Sequence, residues 1–323
     1  MSYVATDLHG VCGMMPAFAT ANASDWKQRQ TLNVDGLQKG LDRAINDGVH
    51  MIATTGTFGQ VWNLFFDEWQ DLVKASIETV NKRVPLMLGV TSANPRELYL
   101  KMKFVRESGG EGVLLGLPYY EPLPIVDIPT FYRQVAEEFP DISIMIYHNP
   151  VNHHVKIPVA TFTELVKLPN IVAMKDSHRE TREFLKLHTI IHGKIAHFVN
   201  QTQLFPYMSM GASGCWSHAI WAGPWPVLAL YDAAADGNND LASAIIEDIA
   251  PGGGGMDERV RRGHSLHEYA GYIDVGAPRP PFSYGISDDG TEKAKAAAAR
   301  WQKLNEKYRP MVEKRRGKVA VTA

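Results

Sequence analysis

The chain has 323 residues, of which 45% are hydrophobic, and its formal net charge is −2. This composition is typical of a globular protein with a sizeable core, and the charge gives no electrostatic reason to expect binding to nucleic acid or to an anionic membrane. No apolar run approaches the ~20 residues that a membrane-spanning helix needs. Residues 1–7 also lack the charged and then apolar pattern of an export signal, so we expect a cytoplasmic protein.

The apolar periodicity predicts strands and helices in regular alternation. The predicted strands are residues 11–17, 50–55, 85–90, 112–117, 142–147, 171–175, 195–199 and 214–217. The predicted helices are residues 33–45, 67–77, 95–107, 127–139, 158–167, 179–191, 203–210 and 226–235. This alternation, with strands that are apolar on both faces, predicts an α/β protein with a parallel sheet covered by helices. Eight repeats in roughly 230 residues match the closed (β/α)8, or TIM, barrel.

The pattern changes after residue 236, where it predicts helices only. These helices are residues 239–249, 257–270 and 291–307. The proline and glycine run at residues 251–255 predicts a hinge between two of them. We therefore expect a catalytic barrel domain at residues 1–236 and a C-terminal helical extension at residues 237–323.

Several other architectures and site types lack support in the sequence. A doubly wound open sheet would usually carry a glycine-rich dinucleotide fingerprint after its first strand, and none follows residues 11–17. The same strand lacks the paired histidines of metal-dependent barrel hydrolases. His153 and His154 are adjacent, so in an extended chain they face opposite ways, and Cys12 and Cys215 lack metal-ligand spacing. We expect no metal site.

One lysine stands out in the sixth predicted strand, Ile-Val-Ala-Met-Lys-Asp at residues 171–176. Burying the Lys175 ammonium is costly unless it is paired or deprotonated. A desolvated lysine becomes neutral more easily, and its free amine can condense with a ketone to form a Schiff base. Two other interpretations stay open, namely pairing with Asp176 or a position in water just past the strand end.

Barrel topology predicts partners for this lysine, because functional residues of such folds lie at the C-terminal ends of the strands. Tyr147 and Lys175 occupy such ends on consecutive strands, which are ~5 Å apart. Alternation along the strand places Tyr147 and Asn149 on one face and His148 on the other. A tyrosine that only fills the core is the alternative.

The same alternation predicts the faces of the sixth strand. Ile171, Ala173 and Lys175 share one face, and small Ala173 suits the crowded barrel interior below the lysine. Val172 and Met174 share the other face.

Two further segments offer binding groups. Residues 56–59, Gly-Thr-Phe-Gly, end the second strand with backbone amides and the Thr57 hydroxyl, which suit a carboxylate. Glycine at a strand-to-helix turn is also common without such a role. Trp216, at the end of the last strand, either forms the floor of an aromatic pocket or packs in the core.

Four motifs in this order and spacing resemble the dihydrodipicolinate synthase and N-acetylneuraminate lyase superfamily of pyruvate-dependent class I aldolases. They are Gly-Thr-Phe-Gly at 56–59, Pro-Tyr-Tyr at 118–120, Tyr-His-Asn-Pro at 147–150 and Ile-Val-Ala-Met-Lys-Asp at 171–176. Two departures set the chain apart from the synthase. The synthase would place an arginine shortly after Pro150, and its Gly-Thr-Thr-Gly-Glu motif ends here in Gln60.

The Gly-Thr-Phe-Gly and Tyr-x-Asn-Pro motifs, together with Trp216, resemble the hydratase-aldolases of polycyclic aromatic catabolism. That resemblance implies cleavage of trans-o-hydroxybenzylidenepyruvate, or of its o-carboxy counterpart, to pyruvate and an aromatic aldehyde. The aromatic residues that suit an aryl ring are Phe58, Trp62, Trp216 and Trp221. A positive partner for an o-carboxylate is sought among His153, His154 and Lys156.

The resemblance also implies residue roles. Lys175 forms the Schiff base, Tyr147 shuttles protons, and Asn149 holds the water that adds to the substrate. The loop of Gly56, Thr57 and Phe58 binds the substrate carboxylate, and Trp216 contacts the ring. No cofactor is implied, because the imine is the electron sink.

The superfamily is usually tetrameric, so the resemblance also implies a homotetramer. In that assembly Tyr120 either joins the proton relay of a neighbouring subunit or packs at the interface. Two other functions stay open at this point: a lyase or dehydratase of a 2-keto-3-deoxy sugar acid, and a catalytically inactive barrel that serves in binding or regulation.

Overall fold

A computed structural model describes residues 3–176, 178–250, 269–281 and 288–322. Its strands are β1 (Gly10–Met14), β2 (Met51–Ala53), β3 (Leu86–Gly89), β4 (Gly112–Gly116), β5 (Ser143–His148), β6 (Ile171–Asp176), β7 (Ala196–Asn200) and β8 (Gly214–Ser217). Each strand pairs in parallel with its neighbours in chain order, and β8 pairs with β1. The predicted (β/α)8 barrel is therefore confirmed.

Helices follow the strands around the outside of the barrel. They are α1 (Val34–Asn46), α2 (Phe66–Val80), α3 (Pro95–Glu107), α4 (Ile128–Glu138), α5 (Pro150–His153), α6 (Phe162–Leu165), α7 (Thr181–Ile191), α8 (Leu204–Met208) and α9 (Trp225–Ala235). Local sequence sets their starts: the Asn94 side chain accepts hydrogen bonds from the amides of Arg96 and Glu97, and Pro95 begins α3. The short helix α5 was not predicted.

Inward-facing side chains fill the barrel interior. This inner cluster contains Cys12, Met14, Met51, Ala53, Met87, Leu114, Met145, Val172, Ala173, Ala196, Phe198 and Trp216. Methionine is frequent here because its unbranched, flexible chain fills irregular gaps. The interior of the described strands is therefore packed and leaves no open lumen, so a site is expected at the mouth formed by the C-terminal ends of the strands.

A bulge in β6 changes the predicted faces at the start of that strand. Ile144 pairs with Ile171, but Met145 pairs with Ala173, so one extra residue lies on β6. As a result Val172 belongs to the inner cluster and Ile171 packs with the outer core, which reverses the prediction for both residues. Regular alternation resumes at Ala173, and Lys175 is opposite Tyr147 as expected.

The described part of the chain beyond the barrel contains α10 (Asn239–Ile249) and α11 (Asp288–Thr322). The Trp301 indole donates to the Gly223 carbonyl, and the Asn305 amide donates to the Ala222 carbonyl, so α11 is fixed to the segment that precedes α9. The predicted hinge at 251–255 and almost all of the predicted helix at 257–270 lie outside the described residues. In the described ranges, no helix is both long and apolar enough to cross a membrane.

Candidate functional site

Lys175 lies at the C-terminal end of β6 inside the barrel mouth. Its side chain is buried, with 6% relative exposure, and its Nζ is 5.3 Å from the centroid of the Tyr147 ring. Burial lowers the pKa of Lys175 to about 8, although the charge of Asp176 opposes this shift. The amine is therefore not in bulk water, and a useful fraction of it is neutral near neutral pH.

The Asp176 carboxylate binds groups on the helix-facing side of the sheet. Its Oδ2 is 2.5 Å from Arg179 Nε, and its Oδ1 is 3.0 Å from His148 Nδ1. The Ile157 amide donates to His148 Nε2, so the proton of the neutral imidazole is on Nδ1 and is donated to Asp176. His148 thus lies outside the pocket, on the face that its sequence position predicts.

Thr57 is the centre of a hydrogen-bond network with three side chains. Its Oγ1 is 2.9 Å from the Tyr147 hydroxyl, and it accepts from Asn149 Nδ2 at 3.1 Å and from Asn152 Nδ2 at 3.0 Å. Because two amides occupy its acceptor positions, the Thr57 hydroxyl donates its own hydrogen to the Tyr147 oxygen. This hydrogen was predicted to bind a carboxylate, and the structure directs it to Tyr147.

The Tyr147 oxygen therefore accepts hydrogen bonds, and its own proton is available to a bound substrate. Asn149 Nδ2 also donates to this oxygen at 3.3 Å. Burial raises the pKa of Tyr147, and the hydrogen bonds from Thr57 and Asn149 oppose that rise. The phenol is consequently protonated at rest while its phenolate is stabilised by donors, which is what a proton shuttle needs.

Asn152 is a site residue that the sequence analysis missed. It lies on α5, which begins at Pro150, and its backbone amide donates to the Asn149 carbonyl. The three-residue spacing of the two asparagines places both side chains on one side of this helical turn. The sequence does contain a signal for this helix, because an asparagine followed by proline at a strand end is a helix-start pattern.

The segment 55–60, here called the carboxylate loop after the ligand predicted for it, has a constrained backbone. Thr55 and Gln60 adopt positive φ values of 47° and 53°, and the Gln60 amide donates to the Thr57 carbonyl at 3.1 Å. A Cβ on Gly59 would lie 2.5 Å from Met14 Cε and 2.6 Å from the Thr55 nitrogen, so this position has room only for glycine. The loop is a tight turn with its backbone next to Tyr147, a geometry suited to binding a carboxylate.

Aromatic side chains adjoin the network. The rings of Trp216 and Tyr147 stack at 5.8 Å, and Phe58 stacks on His218 at 4.4 Å. Trp221 is fully buried behind these rings, and its indole donates to the Met14 carbonyl, so it supports them from the protein interior. Trp62 lies in a separate groove and is 39% exposed. Of the four aromatic residues predicted for an aryl pocket, Phe58 and Trp216 adjoin the network.

Residues 14–252 match the family model described as the dihydrodipicolinate synthetase family. The chain belongs to this family.

Relatives in this family are similar over nearly the whole chain. A trans-O-hydroxybenzylidenepyruvate hydratase-aldolase from Pseudomonas aeruginosa is 27% identical over 94% of this chain and 95% of its own length. A trans-2'-carboxybenzalpyruvate hydratase-aldolase from Nocardioides sp. (strain KP7) is also 27% identical, with the same coverage. The solved structure described as "PhdJ bound to substrate intermediate" is 25% identical, with a TM-score of 0.88 over 95% of this chain and 99% of that chain. The resemblance predicted from the motifs is thereby confirmed.

The pocket of this dihydrodipicolinate synthetase family member has neutral histidines. Burial, with help from nearby positive charges, lowers the pKa of His153 to about 3 and that of His218 to about 4. Lys156 Nζ forms an ion pair with Glu183 at 2.5 Å. His153 is therefore neutral and is not the positive partner that was sought for an o-carboxylate. The Lys156 charge is already paired, and His154 is exposed.

Tyr120 is not part of this network within one chain. Its side chain is 81% exposed on the loop after β4, and Ile125 and Val126, a few residues further along the chain, are 51% and 82% exposed. Such neighbouring exposed apolar side chains are typical of a surface that contacts another protein.

Proposed function

We propose that this protein is a Schiff-base-forming hydratase-aldolase that hydrates an arylidene-pyruvate and cleaves it to an aromatic aldehyde and pyruvate. The observation that carries the proposal is the buried Lys175 amine, its pKa lowered to about 8, next to Tyr147 at the barrel mouth. The names of the Pseudomonas aeruginosa and Nocardioides relatives support this reaction class.

Imine formation is the first step. The neutral Lys175 amine attacks the C2 ketone, and Tyr147 protonates the departing hydroxyl, which leaves water, a protonated imine and a Tyr147 phenolate. The backbone amides of Thr57 and Phe58 bind the C1 carboxylate, and Gly56 allows the close approach of the loop. The Thr57 hydroxyl stabilises the phenolate.

Hydration follows, because the protonated imine withdraws electrons through the conjugated double bond. Water held by Asn149 adds at C4 and gives its proton to the Tyr147 phenolate, which leaves an enamine. Tyr147 then protonates the enamine at C3. The imine is restored with a hydroxyl at C4, and Tyr147 is again a phenolate.

Cleavage uses the same two groups. The Tyr147 phenolate takes the proton of the C4 hydroxyl, the C3–C4 bond breaks, and the electron pair passes into the imine to give the enamine of pyruvate and an aromatic aldehyde. Tyr147 protonates this enamine, and its phenolate then assists water in releasing pyruvate from Lys175. Tyr147 thus ends the cycle as the protonated phenol with which it began, and the imine serves as the electron sink.

Substrate turnover tests this proposal. We expect loss of the long-wavelength absorbance of o-hydroxybenzylidenepyruvate, or of its o-carboxy counterpart, with release of one pyruvate per aldehyde. Pyruvate release from a 2-keto-3-deoxy sugar acid, without turnover of either arylidene-pyruvate, would instead identify a sugar-acid lyase. Turnover of neither class, with no pyruvate adduct, would indicate a binding or regulatory barrel.

We further propose a cytoplasmic homotetramer in which residues 1–236 form the catalytic domain and residues 237–323 a helical extension. The exposed apolar group of Tyr120, Ile125 and Val126 supports an interface between subunits. In that arrangement Tyr120 packs against, or extends, the proton relay of a neighbouring subunit.

A further inference from the structure

The carboxylate loop holds a backbone conformation that its own residues do not favour. Thr55 and Gln60 lie at its two ends, and both have positive φ. The left-handed conformation is unfavourable for side chains with a Cβ, so contacts outside the loop must maintain it. At one end, the buried Thr55 hydroxyl donates to the Gly89 carbonyl of β3 at 3.0 Å.

The contact at the other end comes from a residue far along the chain. Arg279 Nη1 is 3.4 Å from Gln60 Oε1, and the neighbouring Pro280 carbonyl accepts from Asn63 Nδ2 at 2.9 Å. Gln60 in turn connects directly to the site, because its backbone amide donates to the Thr57 carbonyl.

Arg279 is itself held rigidly. The residue is 2% exposed, and its guanidinium donates to the carbonyls of Ala17, Phe18 and Thr31 at 2.5, 3.2 and 2.9 Å, and to the Thr31 hydroxyl at 2.7 Å. Burial lowers the pKa of Arg279 to about 10, so it stays charged at neutral pH. Its donors are used within the protein, which makes Arg279 a structural fixture and not a ligand for substrate.

We propose that Arg279 is a positioning residue that fixes the carboxylate loop and thereby couples the segment 269–281 to binding of the keto acid. This inference rests on the proposed function of the loop. It predicts a larger effect on substrate affinity than on chemistry, because Asn149 and Asn152 hold the Thr57 hydroxyl next to Tyr147 independently of Arg279.

The test compares three variants with the wild type. Arg279→Met removes the Arg279 guanidinium with its hydrogen bonds, here called the clamp. Gln60→Met leaves the guanidinium in place and removes the Gln60 side-chain amide, which contacts Arg279 and Asn63. Arg43→Met is the matched control, since Arg43 Nη1 donates to the Tyr272 carbonyl of the same segment at 2.5 Å but has no described contact with the loop. Each variant is examined by amide hydrogen exchange of peptides that cover residues 55–63, and by steady-state kinetics with an arylidene-pyruvate.

We expect Arg279→Met and Gln60→Met to accelerate exchange in the loop and to raise KM about tenfold, with kcat changed less than about twofold. Arg43→Met should lower the melting temperature without either effect. Unchanged loop exchange in both clamp variants, or an equal rise in KM in Arg43→Met, overturns the proposal. Because Gln60→Met leaves the Arg279 anchor intact, the test holds even if Arg279→Met does not fold.

Hydrogen exchange needs no substrate, so it separates the two proposals. If the wild type forms no borohydride-trapped adduct with pyruvate, the proposed function fails, while loop exchange still reports on the clamp. If the adduct forms and KM is unchanged in both clamp variants, the clamp has no role in binding and this inference fails alone.

Discussion

At the level of residues, the proposed chemistry depends on the burial of one amine, that of Lys175. The pKa of Lys175 falls from 10.5 to about 8, and each unit corresponds to about 1.4 kcal/mol. Burial of the reactive Lys175 therefore lowers the free energy of unfolding by about 3 kcal/mol at neutral pH. Asp176, the nearest carboxylate in sequence, is bound to Arg179 and His148 and so offsets this cost only in part.

Replacing that lysine should stabilise the protein. The folded pKa lies below the unfolded value, so the cost is fully present below pH 8 and disappears as the pH rises to about 10.5. We expect Lys175→Met to abolish turnover and to raise the free energy of unfolding by up to about 3 kcal/mol at pH 7, and by less at pH 10. Denaturant unfolding at the two pH values measures this; a variant less stable than the wild type at pH 7 would disagree.

Tyr147 should affect turnover far more than imine formation. Tyr147→Phe removes the proton that Thr57 leaves available, so we expect kcat to fall by about 10²–10⁴-fold. Pyruvate should still be trapped on the protein by borohydride, at a lower rate. Steady-state kinetics and intact mass measure the two effects, and an unchanged kcat would refute the shuttle role.

Asn149, which precedes α5, and Asn152, which lies on α5, form a matched pair for substitution. Both donate to Thr57, but Asn149 also reaches the Tyr147 hydroxyl. We expect Asn149→Ala to slow the hydration of substrate by at least about tenfold, and Asn152→Ala to slow it less, with pyruvate trapping retained in both. Equal losses in the two variants, or a loss of pyruvate affinity alone in Asn149→Ala, would argue against the assignment.

At the level of elements, the periodicity of apolar residues predicts those features that depend on local chain geometry. The strand order, the inward face of Lys175 and the barrel helices other than α5 follow from apolar periodicity and are found where they were predicted. The bulge at Val172 does not follow, because it exists only in the pairing of β6 with β5. Gln60 and Arg279 lie 219 residues apart, and no periodicity encodes such a contact.

The turn at Gly59 should tolerate no side chain. A Cβ there would contact Met14 Cε and the Thr55 nitrogen at 2.5 and 2.6 Å, so Gly59→Ala must shift the carboxylate loop. We expect KM to rise at least about tenfold. Gly317→Ala, where a Cβ would meet no atom within 4 Å, is the control and should leave KM unchanged. A Gly59→Ala enzyme with wild-type KM would show that the loop backbone does not bind substrate.

For the whole molecule, the extension does more than cover the barrel. Trp301 and Asn305 fix α11 to the segment before α9, while Arg279 reaches the carboxylate loop on the side of the active site. The outer surface carries the exposed group of Tyr120, Ile125 and Val126. Assembly through that group would bring a second chain next to the barrel mouth.

A charge placed on this surface should weaken assembly. Val126 is 82% exposed in the single chain, so Val126→Glu should fold normally but oppose burial of the surface in an oligomer. We expect a tetramer for the wild type and smaller species for the variant by light scattering. A wild-type monomer, or a variant tetramer of unchanged stability, would show that this surface is not the interface.

Borohydride reduction in the presence of pyruvate, followed by peptide mass mapping, tests the central claim most directly. The account predicts a reduced pyruvate adduct on Lys175 in the wild type and its complete loss in Lys175→Ala. An adduct that persists in Lys175→Ala, or the absence of any adduct between pH 7 and pH 9, would contradict it.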